Sequence, residues 1–322
     1  MDALKNVVEV DESGRGLGHQ QALNQSTDRS RAQPRVPPRV QAAEHADRRI
    51  GTILAAQGKL GGRDVERILS LQEAEDLRFG EAALRLGLIT AEDLCAAIAK
   101  QYDLPHLLAG NESVSRELVA AHEPFHPCAE EMRALRTQLL IRWANDGVRH
   151  RILAIVSPGP GEGRSYVAAN LAVAFAQLGE RTLLIDADMR KPRQHRIFDV
   201  TDRFGLSAVL SGRADRRAVV PVPEFGRLSL LPAGARPPNP QELLSRDPLA
   251  ILLHEVQNDF EIIIFDTPPA RRYADAQTVA FRAGNALVLA RKDHTRLADT
   301  NAVVHELGDA GTRTVGTVFN AF

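Results

Sequence analysis

The chain has little cysteine: Cys95 and Cys128 are the two in 322 residues, and they form no C-x-x-C pair. That excludes a disulfide framework and fits a reducing compartment. No apolar run approaches the roughly 18–20 residues that a membrane span needs, and the N-terminus has no signal-peptide apolar region, so a cytoplasmic chain is expected. Neither sign of charge dominates, with 40 Lys and Arg against 41 Asp and Glu. The net charge of -1 offers no general basic surface, and a nucleic-acid partner is not expected. Tyrosine is also scarce: Tyr102, Tyr166 and Tyr273 are all there are, and none lies near the C-terminus.

What is present is organised around residues 152–190. Residues 152–156 are five apolar side chains in a row, the pattern of a buried strand. A turn of Gly159, Pro160, Gly161, Glu162 and Gly163 follows and closes on Arg164, Ser165 and Tyr166. Val167, Leu171, Ala174, Phe175 and Leu178 then recur at helical spacing, and Gly179 stops the helix. A second apolar strand, residues 182–185, ends in Asp186-Ala187-Asp188. Glycines let backbone N–H groups converge on one point, and the helix starting there aims its positive end at the same point. That is phosphate-binding chemistry. A cation at 164 faces the phosphates, and the Ser165 hydroxyl is placed to ligate Mg²⁺. The usual spacing is G-x-x-x-x-G-K-[ST]; here Pro158 replaces the first glycine and Arg164 the lysine.

A third buried strand, residues 261–266, ends in Asp266-Thr267-Pro268-Pro269. Asp186, Asp188 and Asp266 at strand ends around a phosphate loop make a candidate metal–nucleotide site. Further strands at Leu228–Leu231, 286–290 and 314–319 alternate with helical patterns at 241–260 and 299–310. This predicts an α/β fold, a P-loop NTPase with a mostly parallel sheet flanked by helices, plus a small N-terminal helical repeat domain. The expected divisions are a disordered arm over 1–46, the repeat domain over 47–108, a linker over 109–128 and the P-loop domain over 129–322. The repeat pairs Arg49, Gly51 and Gly58 with Arg78, Gly80 and Gly87 at a constant offset of 29 residues. Each copy reads as a short helix, a glycine turn and a second helix. A helix over 130–143 places Met132, Leu135, Leu139 and Leu140 on one face.

The stretches SPGPGEGRS, LLIDADMR and IIIFDTPP resemble the Walker A, Walker A′ and Walker B motifs of bacterial tyrosine kinases, in particular the exopolysaccharide chain-length-determinant subgroup. LPAGARPPNPQELL resembles a further stretch of that family. The resemblance implies ATP as substrate and Mg²⁺ as cofactor. Arg164 then grips the β and γ phosphates, Ser165 ligates the metal, and Asp188 and Asp266 hold its shell through water. Asp186 positions or deprotonates a tyrosine hydroxyl, and Asn320 contacts the base. Glu130, Arg133 and Arg136 match the family's ring-forming motif, which implies self-association. A membrane chain-length-determinant protein is the implied partner, holding the chain at the inner membrane. The repeat is similar to the N-terminal domain of type II secretion and pilus ATPases. It therefore reads either as a docking module or as a cyclic di-GMP site on Arg49, Gly51, Gly58, Arg78, Gly80 and Gly87. One departure concerns the tail: many relatives end in a tyrosine cluster, and this sequence ends Asn320-Ala321-Phe322. Two alternatives to the kinase stay open. One is an ATPase switch, although the switch ATPases carry a signature lysine where Gly159 stands here. The other is a cyclic di-GMP-gated regulator with a degenerate kinase domain.

Overall fold

The structure, a computed structural model, describes residues 49–101, 113–144 and 151–321. The arm expected over 1–46 lies outside the described residues, as does Tyr102. The chain divides into two compact units, one ending at Ala97 and the other running on from Ile98.

The smaller unit is helical. It holds α1 (Ile50–Ala56), α2 (Gly62–Glu75), α3 (Phe79–Arg85) and the start of α4 (Ala91–Gln101). The repeat is visible as two helix pairs, each broken after its first helix at Gly58 or Gly87. The second copy's turn into α4 is locked by a capping box: the Thr90 N–H donates to Asp93 at 3.0 Å, and the Asp93 N–H donates to the Thr90 hydroxyl at 3.1 Å. Ile53, Leu54, Leu60, Ile68, Ala82, Ala83, Ile89 and Ala97 form the core. Two motif glycines serve that core. A Cβ on Gly51 would lie 3.0 Å from the Phe79 ring, and one on Gly80 would lie 2.6 Å from a Leu94 methyl.

The larger unit is built on a sheet. Its elements are α5 (Val119–His122), α6 (Pro127–Ala144), β1 (Arg151–Val156), α7 (Arg164–Gln177), β2 (Thr182–Asp186), α8 (Gln194–Ile197) and α9 (Leu206–Leu210). There follow β3 (Val220–Pro221), β4 (Leu228–Leu231), α10 (Pro240–Ser245), α11 (Asp247–Val256), β5 (Ile262–Asp266), α12 (Asp275–Ala283), β6 (Asn285–Arg291), α13 (Leu297–Asp309) and β7 (Arg313–Asn320). The seven strands run in the order β3-β4-β2-β5-β1-β6-β7. All pairings are parallel except β3 with β4. Helices cover both faces, so the inner strands β1, β2, β5 and β6 are near-continuous buried runs rather than alternating ones. Leu153, Ile155, Ile262 and Ile264 join the core under α6 and α7, while Ala154, Val156, Ile263 and Phe265 join the core under α11 and α12. Trp143 of α6 stacks on Phe175 of α7 at 6.2 Å between ring centroids.

Two expectations need correcting. The stretch 109–128 is not a linker from residue 113 onward. Val114, Leu118, Ala120 and Ala121 are buried in the sheet unit's core. Asn170 of α7 accepts the Ala120 N–H at 3.0 Å and donates to the Glu117 carbonyl at 2.9 Å. Few large apolar residues mark this strap, and its prolines hid it. The helix expected over 241–260 is two helices. Arg246 stands between them in extended conformation because Pro248 can occupy only the first turn of a helix.

Candidate functional site

The site lies at the C-terminal ends of β1, β2 and β5. Gly161 and Gly163 adopt φ of +72° and +93°, left-handed conformations that favour glycine. Gly163 is the N-cap of α7, so the helix's positive end opens into the loop. The loop is braced from three sides. The buried Glu162 carboxylate accepts the Gly159 N–H at 2.7 Å and the Thr295 hydroxyl. Asn320, at the end of β7, donates to the Glu162 carbonyl at 3.1 Å, and Arg291 donates to the Gly161 carbonyl at 3.1 Å. Asn320 is therefore beside the loop and holds its shape.

The acids converge as their strand positions require. Asp186 of β2 and Asp266 of β5 are direct partners across neighbouring parallel strands. Asp186 is fully buried and accepts three backbone N–H groups, those of Arg193 and Gln194 at 3.0 Å and of Asp188 at 3.2 Å. Asp188 accepts the N–H groups of Arg190 and Lys191. Asp266 accepts the Gln194 side-chain amide at 2.8 Å, and the nearby Ser165 hydroxyl favours its charged form. Burial lifts Asp186 well above the ordinary carboxylate range, with the Asp266 charge adding to it, and burial also raises Asp266.

At this site two buried acceptor atoms have no partner among the described residues: Asp266 Oδ1 and Gln194 Oε1. Both belong to residues that meet at this site. Buried acceptors without donors are rare, and waters on a hydrated cation supply donors. With the Ser165 hydroxyl alongside, the residues fit a Mg²⁺ ion bound through one protein oxygen and several waters.

Arg164 is nearly buried and tied to the loop. It donates from Nε to the Thr267 carbonyl at 2.7 Å and from Nη1 to the Gly159 carbonyl at 2.6 Å and to the Ser157 hydroxyl. Burial pulls its pKa down, and the charges of Asp266, Asp188 and Glu162 oppose that shift. Farther out, Arg190 pairs with the buried Asp275 at 2.8 and 3.0 Å and stacks over the Tyr273 ring at 3.9 Å. The other described tyrosine, Tyr166, lies on α7, half-buried, and burial pushes its hydroxyl up to about 12.

Sequence reading missed Gln194. Its side chain touches Asp266 and the Ser165 carbonyl while its N–H caps Asp186. Nothing in its spacing marks it; it follows Asp186 by eight residues in a polar turn. Thr295 and Ser157 were missed for the same reason.

The remaining candidates sit elsewhere. Glu130 and Arg133 pair with each other on α6 at 2.5 Å, with Glu130 exposed. Arg136 turns inward and donates to the Ala174 carbonyl at 2.7 Å, so it braces α6 against α7. Arg49 and Arg78 are exposed at the N-caps of α1 and α3. The contact of Gly51 with Phe79 brings the two motif starts together.

With this geometry in hand, the chain can be set against known proteins. Residues 150–293 match the family described as AAA domain. The chain is similar to the tyrosine-protein kinase YwqD of Bacillus subtilis (strain 168), 34% identical over 207 residues, which cover 64% of this chain and 86% of that one. The crystal structure of the chimerical protein CapA2B2 superposes with TM-score 0.60 and 31% identity, covering 70% of this chain and 98% of the other. The kinase domain of Escherichia coli tyrosine kinase ETK gives TM-score 0.60 and 31% identity over 63% of this chain and 79% of that domain. The AAA-domain match spans the loop and the strand-end acids, and the likeness to YwqD, which this chain covers over most of its length, shows that the chain belongs to the bacterial tyrosine-kinase family.

Proposed function

We propose that this protein transfers the γ-phosphoryl group of ATP to protein tyrosine, in the service of exopolysaccharide synthesis and chain length. The observation that carries the reading is the meeting of the loop, Ser165 and three strand-end carboxylates around two buried acceptors without donors. Phosphoryl transfer needs positioning and charge neutralisation more than covalent help from the protein. In this reading the backbone of 159–165 cradles the phosphates, and Arg164 meets the β and γ oxygens. Ser165, Asp188 and Asp266 would hold a Mg²⁺ ion, which would neutralise charge on the phosphates. Asp186 orients the acceptor hydroxyl and takes its proton. A carboxylate raised by burial is a stronger base than one in water.

Tyr166 is half-buried against the sheet unit's core, so the acceptor in this reading is Tyr273, a tyrosine outside the described residues, or a tyrosine of another protein. Among the described residues no helix is long and apolar enough to cross a membrane. Attachment at the inner membrane belongs, in this reading, to a chain-length-determinant partner. Self-association uses the exposed Glu130 and its neighbour Arg133. Adding the partner's cytoplasmic segment to purified protein and Mg-ATP should raise phosphotyrosine several-fold. No change on addition would remove the partner from the proposal.

A second reading concerns the repeat. Gly51 and Gly80 are accounted for by packing, which favours a docking module. The exposed Arg49 and Arg78, on adjoining motif starts, favour cyclic di-GMP, since arginine can pair with a guanine edge or a phosphate. Labelled cyclic di-GMP should bind the whole protein and lose about 100-fold in affinity when both arginines become alanine, at 1–3 kcal/mol for each charge-assisted contact. Equal binding by the double variant would leave only docking.

A further inference from the structure

We propose that Ser157 is a positioning residue for the phosphate-facing arginine, and that it ties this loop to arginine rather than lysine at position 164. The inference rests on the ATP reading above. Three acceptors hold the Arg164 guanidinium from two edges: the Thr267 carbonyl on Nε, and the Gly159 carbonyl and the Ser157 hydroxyl on Nη1. Each acceptor is itself held. Thr267 is anchored by its own hydroxyl, which donates to the Ile155 carbonyl at 2.7 Å. Ser157 is fully buried at the end of β1, and its hydroxyl donates to the Gly159 carbonyl at 3.2 Å. With its proton spent there, the Ser157 oxygen turns its lone pairs to Nη1.

The guanidinium is planar, with five N–H groups in fixed directions. Ser157 and Gly159 take the two of Nη1, and Thr267 takes that of Nε. Nη2 keeps both of its N–H groups, with no hydrogen-bond partner among the described residues. Fixing Nε and Nη1 therefore fixes where Nη2 points, and Nη2 is the only edge left for a phosphate oxygen. The charges of Asp266, Asp188 and Glu162 bear on the same group, so it sits among the site's acids and not out in solvent. A lysine ammonium rotates freely on a flexible stem and needs no plane set for it. Without the Ser157 oxygen, one buried N–H of Nη1 has no acceptor, and the plane is free to tilt towards Gly159.

The test is titration of the full chain with Mg-ATP and Mg-ADP, for the wild type and for Ser157→Ala, Ser157→Thr, Arg164→Lys and the Ser157→Ala/Arg164→Lys pair. Ser157→Ala should weaken Mg-ATP about tenfold, the value of a hydrogen bond to a charged group, and Mg-ADP less. Ser157→Thr, which keeps the hydroxyl, should restore wild-type binding. In the Arg164→Lys background the loss of Ser157 should matter less than about twofold, the sign of coupling between contacting residues. An equal loss in both backgrounds would mean that Ser157 only shapes the loop, and would overturn the proposal. So would undiminished binding by Ser157→Ala that melts as a folded protein. Ser157→Cys, close in shape and a weak acceptor, carries the same test if the alanine variant is insoluble. Failure of the wild type to bind Mg-ATP at all would instead defeat the ATP reading.

Discussion

Asp266→Asn is expected to weaken Mg-ATP binding by about 100-fold, the upper end for an outer-shell metal ligand, and to raise the melting temperature of the ligand-free protein. The two effects share one cause. Asp266 is buried beside Asp186, and burial disfavours its charged form. Its folded pKa is raised, so the folded state binds more protons than the unfolded chain between the ordinary carboxylate value and the raised one. Stability therefore increases as pH falls through that window and decreases as pH rises through it. Asparagine removes the charge while keeping an oxygen for the Gln194 amide. Each 1 kcal/mol so relieved raises the melting temperature by roughly 2–4 °C in a unit of this size. Asp266→Ala differs in sign: it loses the metal and also leaves one N–H of the Gln194 amide without its acceptor, so it melts lower. Calorimetry of both variants, with and without Mg-ATP, separates these effects. An Asp266→Asn protein that binds Mg-ATP like the wild type would refute the metal assignment.

Asp186→Asn is expected to lower tyrosine phosphorylation by about 10²- to 10⁴-fold, the contribution of a positioned general base, while Mg-ATP binding stays near that of the wild type. The asparagine oxygen can still accept the N–H groups of Arg193 and Gln194. Only the Asp188 N–H loses its acceptor, so the turn that carries Asp188 and Gln194 survives. What is lost is a carboxylate able to take a proton. Since burial lifts the Asp186 pKa, the wild-type rate should fall as pH drops through the raised value, and Asp186→Asn should lose that dependence. Steady-state rates of both proteins across pH check this. Unchanged turnover in Asp186→Asn would make Asp186 a brace for the turn and nothing more.

The sheet was legible because burial on both faces makes its inner strands continuous apolar runs, and because glycines and aspartates punctuate their ends. The phosphate loop was legible for the same reason: its geometry demands glycine at Gly161 and Gly163, and local sequence records that demand. The repeat showed itself through its constant offset. Residues that act through tertiary contact were not legible. Gln194 joins the acids only because the turn after β2 folds back on β5. Arg164 could be read as a phosphate-facing cation, but its tether needs Ser157 and Thr267 brought together from β1 and β5. Arg136 matched an interface motif, and its direction depends on how α6 lies on α7. The strap at 113–128 resembled a linker because a segment that packs with alanines and single aliphatics has no periodicity to read.

The fate of the γ-phosphoryl group is the measurement to make. The full chain is incubated with γ-labelled ATP and Mg²⁺, with a tyrosine-bearing peptide polymer and with the membrane partner's cytoplasmic segment in separate arms. Label should appear on tyrosine, require Mg²⁺, and vanish in Asp186→Asn and Asp266→Asn. Free phosphate in every arm, with no label on any tyrosine, would contradict the kinase reading and make the site that of an ATPase switch.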